Sequence, residues 1–146
     1  NYFVGRDYYG GGMKYKNPQV SKNVVFNDLF TNWNDDLVIV EGVFDAINAG
    51  NAVPILGSTL RTDSDLLRKI VRNDTPCYIA LDPDAADKER RIIQTLLRYD
   101  VELYKIDVTG YEDVGEMPQD IFRERKANAR FIDRDNYLLL DLLSAV

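Results

Sequence analysis

Two apolar runs in this chain stop abruptly at carboxylates. LVIVEGVFDAI at residues 37–47 reaches Glu41, with Asp45 four positions later, and YIALDPDAADK at residues 78–88 reaches Asp82 and Asp84. In an open α/β sheet, ligands and reactive groups gather beyond the carboxyl ends of the strands, so acids far apart in sequence can meet there. Such a set suits divalent-metal chemistry. Magnesium takes hard oxygen ligands, keeps several waters, and uses one or two carboxylates together with substrate phosphates. Pro83 biases Asp82 towards an extended conformation, in which a two-residue spacing points the Asp82 and Asp84 carboxylates the same way. Two like charges held that close are costly unless a cation lies between them. Asp-Pro-Asp is also ordinary turn composition, and its place after an apolar strand is what favours a site.

Gly42 allows a tight turn behind Glu41, which puts Asp45 on the same side of a first helical turn. Acids in a first turn serve equally well as caps and as complements to the helix dipole. A third acidic group, GYEDVGEM at residues 110–117, supplies Glu112, Asp113 and Glu116. It reads either as a solvated loop or, beyond a fourth parallel strand, as a further wall of the same crevice.

The elements that must position these acids follow from periodicity. Short apolar runs alternating with amphipathic segments are the mark of parallel βαβ units. Strands are expected at 37–41, 52–56, 76–81 and 101–106, with a short helix at 43–50 ending on Gly50. A helix over 62–72 begins with Thr62 and Asp65 in capping-box spacing and places Leu66, Leu67, Ile70 and Val71 on one face. The helix over 86–99 does the same with Ile92, Ile93, Leu96 and Leu97, leaving Lys88, Glu89, Arg90 and Arg91 outside. Helices are also expected at 116–130 and 135–144, the latter with an apolar stripe of Leu138, Leu139, Leu142 and Leu143 that would need a neighbour. Residues 1–36, with the Gly10–Gly12 turn, Pro18 and a Val24-Val25-Phe26 strand, read as a small β-containing segment. The fold class is α/β, with a central parallel sheet of about four strands flanked by helices.

Composition limits the function. At 146 residues and 45% hydrophobic content the chain is one domain able to bury a core. No apolar run approaches the roughly 18 residues of a membrane span and no signal-peptide pattern opens the chain, so the expectation is a soluble protein with no membrane partner. Cys77 has no second cysteine to pair with, which fits a reducing compartment such as a cytoplasm, and it is expected to be buried. Histidine is absent, so the usual general base and His-activated nucleophiles are excluded and carboxylates must do any acid–base work. The net charge is −6, yet residues 1–22 hold Arg6, Lys14, Lys16 and Lys22 against Asp7 alone. An acidic body repels a polyanion, so any nucleic acid is expected at this basic stretch. The chain opens on Asn1 rather than Met, which we read as a piece of a longer protein.

A Glu-Gly turn after one strand followed by Asp-x-Asp after a later one resembles the Toprim domain of primases, topoisomerases and some nucleases. VEGVFDAI resembles the primase form of the first motif, with Asp45 at its second acidic position, and AVPILGSTL at 52–60 resembles the primase strand that follows. FVGRDYYGGGMKYKNP at 3–18 is similar to the subdomain that precedes Toprim in primases. The resemblance, over about residues 3–127, is to DnaG-type primases of bacteria or phages. It implies an end of the basic subdomain at 1–36, a Toprim domain at 37–115 and C-terminal helices at 116–146. It further implies Mg²⁺, with Mn²⁺ as a substitute, held by Asp82, Asp84, Asp45 and Asp113, with Glu41 as a further ligand or the catalytic acid–base group. Arg6, Lys14, Lys16 and Asn17, interleaved with Tyr8, Tyr9 and Tyr15, would contact a single-stranded DNA template. Ribonucleoside triphosphates would be the substrates, a replicative helicase a partner, and the bacterial or host cytoplasm the location. This sequence departs from the family at Pro83 and Asp87, where glycine is usual, and in its shorter third motif; it also carries no zinc-binding module, as expected of a piece. The rival readings are a Toprim nuclease or topoisomerase and a non-catalytic Toprim module that binds DNA or a helicase. A haloacid-dehalogenase-type phosphatase would need Thr or Val where Ala86 stands.

Overall fold

A computed structural model describes residues 5–6, 15–16, 21, 23–57, 60–137 and 139. Strands β1 (Gly5–Arg6) and β2 (Tyr15–Lys16) pair antiparallel. Lys14 and Asn17, expected at the template, lie outside the described residues, as do the side chains of Arg6 and Lys16.

The remainder is built on β3 (Leu37–Val40), whose four residues are all buried. A strand covered on both faces must be apolar throughout, which is why LVIV stands at the centre of the sheet. It pairs in parallel with β4 (Ala52–Pro54) on one side and β5 (Cys77–Ala80) on the other. Strand β6 (Leu103–Lys105) lies parallel to β5, and β7 (Arg130–Phe131) closes the edge antiparallel to β6. The order is β4-β3-β5-β6-β7. This is the helix-flanked, Rossmann-like α/β arrangement expected, with one edge strand more than the sequence indicated.

Alternation along β3 divides the core between the two faces. Leu37 and Ile39 join Leu67 and Ile70 of α2 (Asp65–Asn73) and Ile92, Ile93 and Leu96 of α3 (Ala86–Arg98). Val38 and Val40 join Ala46 of α1 (Val43–Ala49), Phe122 of α4 (Gln119–Ala127), and Val114 and Met117 of the loop between β6 and α4. Cys77 is fully buried, and burial pushes its thiol up. Among the described residues no helix is long and apolar enough to cross a membrane.

Several local expectations are corrected. Helix α2 starts one turn later than expected, with Ser64 as its cap accepting from Leu67 N at 3.2 Å. Thr62 sits instead in a turn where Arg61 clamps Asp63 at 2.7 and 2.9 Å. Val24–Phe26 is not a strand: Asn27, at φ 60°, turns the chain into a short 3-10 helix at Asp28–Phe30. Pro118 delays α4, and residues 130–131 form β7 rather than its last turn. There Phe131 packs against Tyr104 with ring centroids 5.5 Å apart. Residues 134–137 are helical; Leu138, Leu142 and Leu143 of the expected stripe lie outside the described residues.

Candidate active site

Glu41 follows the last residue of β3, and Gly42, extended at φ −115° and ψ 165°, is the N-cap of α1. Asp45 then turns back on its own helix end. Its Oδ2 accepts from Gly42 N at 2.8 Å, while Oδ1 accepts from Gly115 N at 2.9 Å across the site. A Cβ at Gly42 would stand 2.9 Å from Asp45 Oδ2, and one at Gly115 would stand 3.1 Å from Asp45 Oδ1. A side chain at Gly42 would force Asp45 to shift, and one at Gly115 would require it to give by a few tenths of an ångström. Asn48, one turn along α1, donates from Nδ2 to Val114 O and Met117 O, each at 2.7 Å. Asp45 and Asn48 thus hold the third acidic segment against the first. Asp45, expected among the metal ligands, has both carboxylate oxygens engaged by backbone N–H groups and is only 6% exposed. Burial pushes its carboxyl up in spite of those two hydrogen bonds, and Asp113 and Glu41 add to the rise.

Within the third segment, Asp113 Oδ1 accepts from Glu116 N at 2.8 Å. Glu112 and Glu116 are exposed, so the contribution of Glu116 to the inner arrangement is its backbone donor.

The Asp82–Asp84 segment departs from the extended form expected. Ala85 N donates to Asp82 O at 2.9 Å, closing a turn with Pro83 and Asp84 at its centre. Proline's fixed φ suits the second position of such a turn. Asp84 is consequently exposed while Asp82 is partly buried. Asp82 Oδ1 and Glu41 Oε2 are buried without a hydrogen-bond partner among the described residues. The Asp82 carboxyl is pushed up to about 7, first by burial and then by the charges of Glu41, Asp45, Asp113 and Asp84. Acids from three strand ends are therefore near enough to repel one another.

One cation enters this group that the sequence reading had left in solvent. Lys88 Nζ lies 2.8 Å from Glu41 Oε1, with its side chain only 16% exposed. Its neighbour Glu89 is likewise turned inward, paired with Lys105. The signal was available: Lys88 precedes Ile92 by four positions and Glu89 precedes Ile93 by four, so both share the core-facing side of α3.

Hard carboxylate oxygens, in a chain with no histidine and with its one cysteine in the core, fit magnesium or manganese better than zinc. Glu41 and Asp82, each with an unpartnered oxygen, are the side chains best placed to hold such an ion. Among the described residues no three acidic side chains close around one point as a finished metal cage.

No family model matches this sequence, and none of the curated proteins does. Among solved structures, one similar to it is the crystal structure of the zinc-binding and RNA polymerase domains of the Aquifex aeolicus primase. The likeness has a TM-score of 0.66 at 21% sequence identity, and covers 90% of this chain and 37% of that one. The two share a fold, and this chain spans well under half the length of that structure.

Proposed function

We propose that this chain is the Toprim-type catalytic portion of a DnaG-type DNA primase, joining ribonucleotides into a primer on single-stranded DNA with Mg²⁺ or Mn²⁺. The observation that carries the reading is the pair of buried, unpartnered oxygens, Glu41 Oε2 and Asp82 Oδ1, at the carboxyl end of a sheet shared with a primase. A bound divalent ion would supply charge neutralisation for the nucleotide phosphates and for the attacking and leaving oxygens. Glu41 and Asp82 would hold it, with Asp84 and Asp113 approaching from the two flanking loops. Asp45 would act mainly by fixing Gly42 and Gly115, and so the placement of Glu41 and Asp113. The alternative role for Glu41 is to accept the proton of the attacking hydroxyl at Oε2 in place of ligating the ion, a role that histidine cannot fill here. Template contact is proposed for Arg6, Lys14, Lys16 and Asn17 in the segment 1–36, ahead of a Toprim domain at 37–115. Ribonucleoside triphosphates as substrates and a replicative helicase as partner rest on the same reading.

The test is ribonucleotide incorporation on single-stranded DNA by the intact protein with Mg²⁺, beside a nicking assay on supercoiled plasmid. RNA synthesis that disappears in Asp82→Asn supports the proposal. Nicking without RNA would move the assignment to a Toprim nuclease or topoisomerase. A non-catalytic module is favoured by one observation, the Lys88 ammonium already seated on Glu41. DNA binding with neither activity would select it.

A further inference from the structure

Lys88 poses a question that the proposed reaction leaves open. An ammonium held 2.8 Å from Glu41 Oε1 and largely withdrawn from solvent occupies one of the two oxygens that would serve a divalent ion. It is anchored in the first turn of α3, directly after the Asp82–Asp84 turn, so it reaches Glu41 across the mouth of the acidic group. Lysine is a compact charge on a flexible stem, with three donors and no fixed fork, and can exchange one anion for another without moving its helix. The N-terminal end of α3 behind it favours negative charge.

We propose that Lys88 serves two anions in turn: Glu41 while no divalent ion is bound, and the phosphates of the incoming nucleotide once Glu41 is engaged with the ion. The inference rests on the reading of these acids as a cation site. In the resting protein Lys88 offsets the repulsion between Glu41 and its acidic neighbours and competes with the ion for Glu41. When Glu41 is engaged, Lys88 lies within a few ångströms of a divalent charge and loses its carboxylate, so it turns to the nearest strong acceptor. In a nucleotidyl transfer that acceptor is a phosphate oxygen.

The experiment has two arms. In the first, Mn²⁺ is titrated without nucleotide into the intact parent, Lys88→Met, Lys88→Arg and Asp82→Asn, with free Mn²⁺ followed by electron paramagnetic resonance. Removing the competing charge should tighten Mn²⁺ binding in Lys88→Met by about tenfold, within the usual range of coupling between sites, while Lys88→Arg stays near the parent. Lys105→Met, which removes a charge held by Glu89 instead, should leave the affinity unchanged. In the second arm, ribonucleotide incorporation by Lys88→Met at saturating metal should show a raised KM for the nucleotide with a smaller change in kcat, and Lys88→Arg should restore it. A merely structural lysine would lower the melting temperature without tightening Mn²⁺ binding. Unchanged or weaker Mn²⁺ binding in Lys88→Met overturns the inference, as does a nucleotide KM equal to that of the parent. A parent whose Mn²⁺ binding ignores Asp82→Asn overturns the site itself, a result separate from failure of the Lys88 arm. Should Lys88→Met not fold, Lys88→Gln carries the same comparison.

Discussion

At the amino end of the sheet, Asp36 enters β3 with Lys126 of α4 at 2.9 Å, and Lys126 lies over the ring of Tyr78 at 5.2 Å. Tyr78 stacks on Tyr104 at 4.7 Å, and Tyr104 Oη donates to Glu102 at 2.7 Å. At the carboxyl end of the same strands, Glu41 and Asp82 each keep a buried oxygen without a hydrogen-bond partner among the described residues. The electrostatic outcomes are opposite. Partial burial pushes the Asp36 carboxyl up, but its hydrogen bonds with Lys126 and Asp35 outweigh this and hold it below the usual carboxylate value. Asp82, buried among other acids, is driven up to about 7. Asp36, paired within the fold, is held low, whereas Asp82, set against other acids, stores a cost that a ligand can relieve.

The contrast would break most visibly at Glu41. Glu41→Gln keeps the side chain's size and removes its charge, and under the proposed function primer synthesis should fall several hundredfold, more than about 3 kcal/mol of transition-state stabilisation. Single-turnover ribonucleotide incorporation measures this, and undiminished synthesis would leave Glu41 with a structural role alone, as the partner of Lys88.

Asp45 joins the two kinds of behaviour, being both fully bonded and part of the acidic group. Asp45→Ala leaves the N–H groups of Gly42 and Gly115 without their acceptor and should cost about 1–3 kcal/mol in urea unfolding. Gly115→Ala should disturb the same link through its contact with Asp45 Oδ1, and a variant as stable as the parent would show that the loop can yield.

The pH dependence sharpens the comparison further. A carboxyl raised to about 7 in the folded protein contributes stability that is complete below the unfolded value of 3.8 and is lost as pH rises through about 7. In metal-free buffer the stability of Asp82→Asn relative to the parent should therefore grow between pH 5 and pH 8. Melting curves at the two pH values measure it, and a constant difference would mean that the acids do not crowd Asp82. For Asp36 the sign reverses. Its lowered carboxyl contributes stability that is present above the ordinary carboxylate value and is lost as pH falls through the lower folded one. Asp36→Asn should cost less than about 1 kcal/mol at pH 7, as expected of a partly exposed pair, with the difference vanishing in acid.

Much of the frame was legible because the signals are local. A short, largely β-branched run such as LVIV suits a strand buried on both faces, as at the centre of a parallel sheet, and Leu66, Leu67 and Ile70 repeat at helical spacing whatever lies around them. Strand β7 was not legible: two residues carry no period, and Phe131 is held by its place beside Tyr104 on another strand. The Asp82–Asp84 turn was misread because Pro83 restricts the residue before it and equally starts a turn, and the hydrogen bond from Ala85 N to Asp82 O shows that the turn is the form adopted.

The sequence by itself determined that acids follow β3, β5 and β6, since the order of apolar run and carboxylate is written along the chain. Only the tertiary structure decided how each acid is used. Asp45 accepts from Gly115 seventy positions away, Lys88 reaches Glu41 across forty-seven, and Asp82 is left with an oxygen that has no partner among the described residues. Which carboxylate is paired and which is exposed to its neighbours depends on where separate strand ends converge, and periodicity within any one segment holds no information about that.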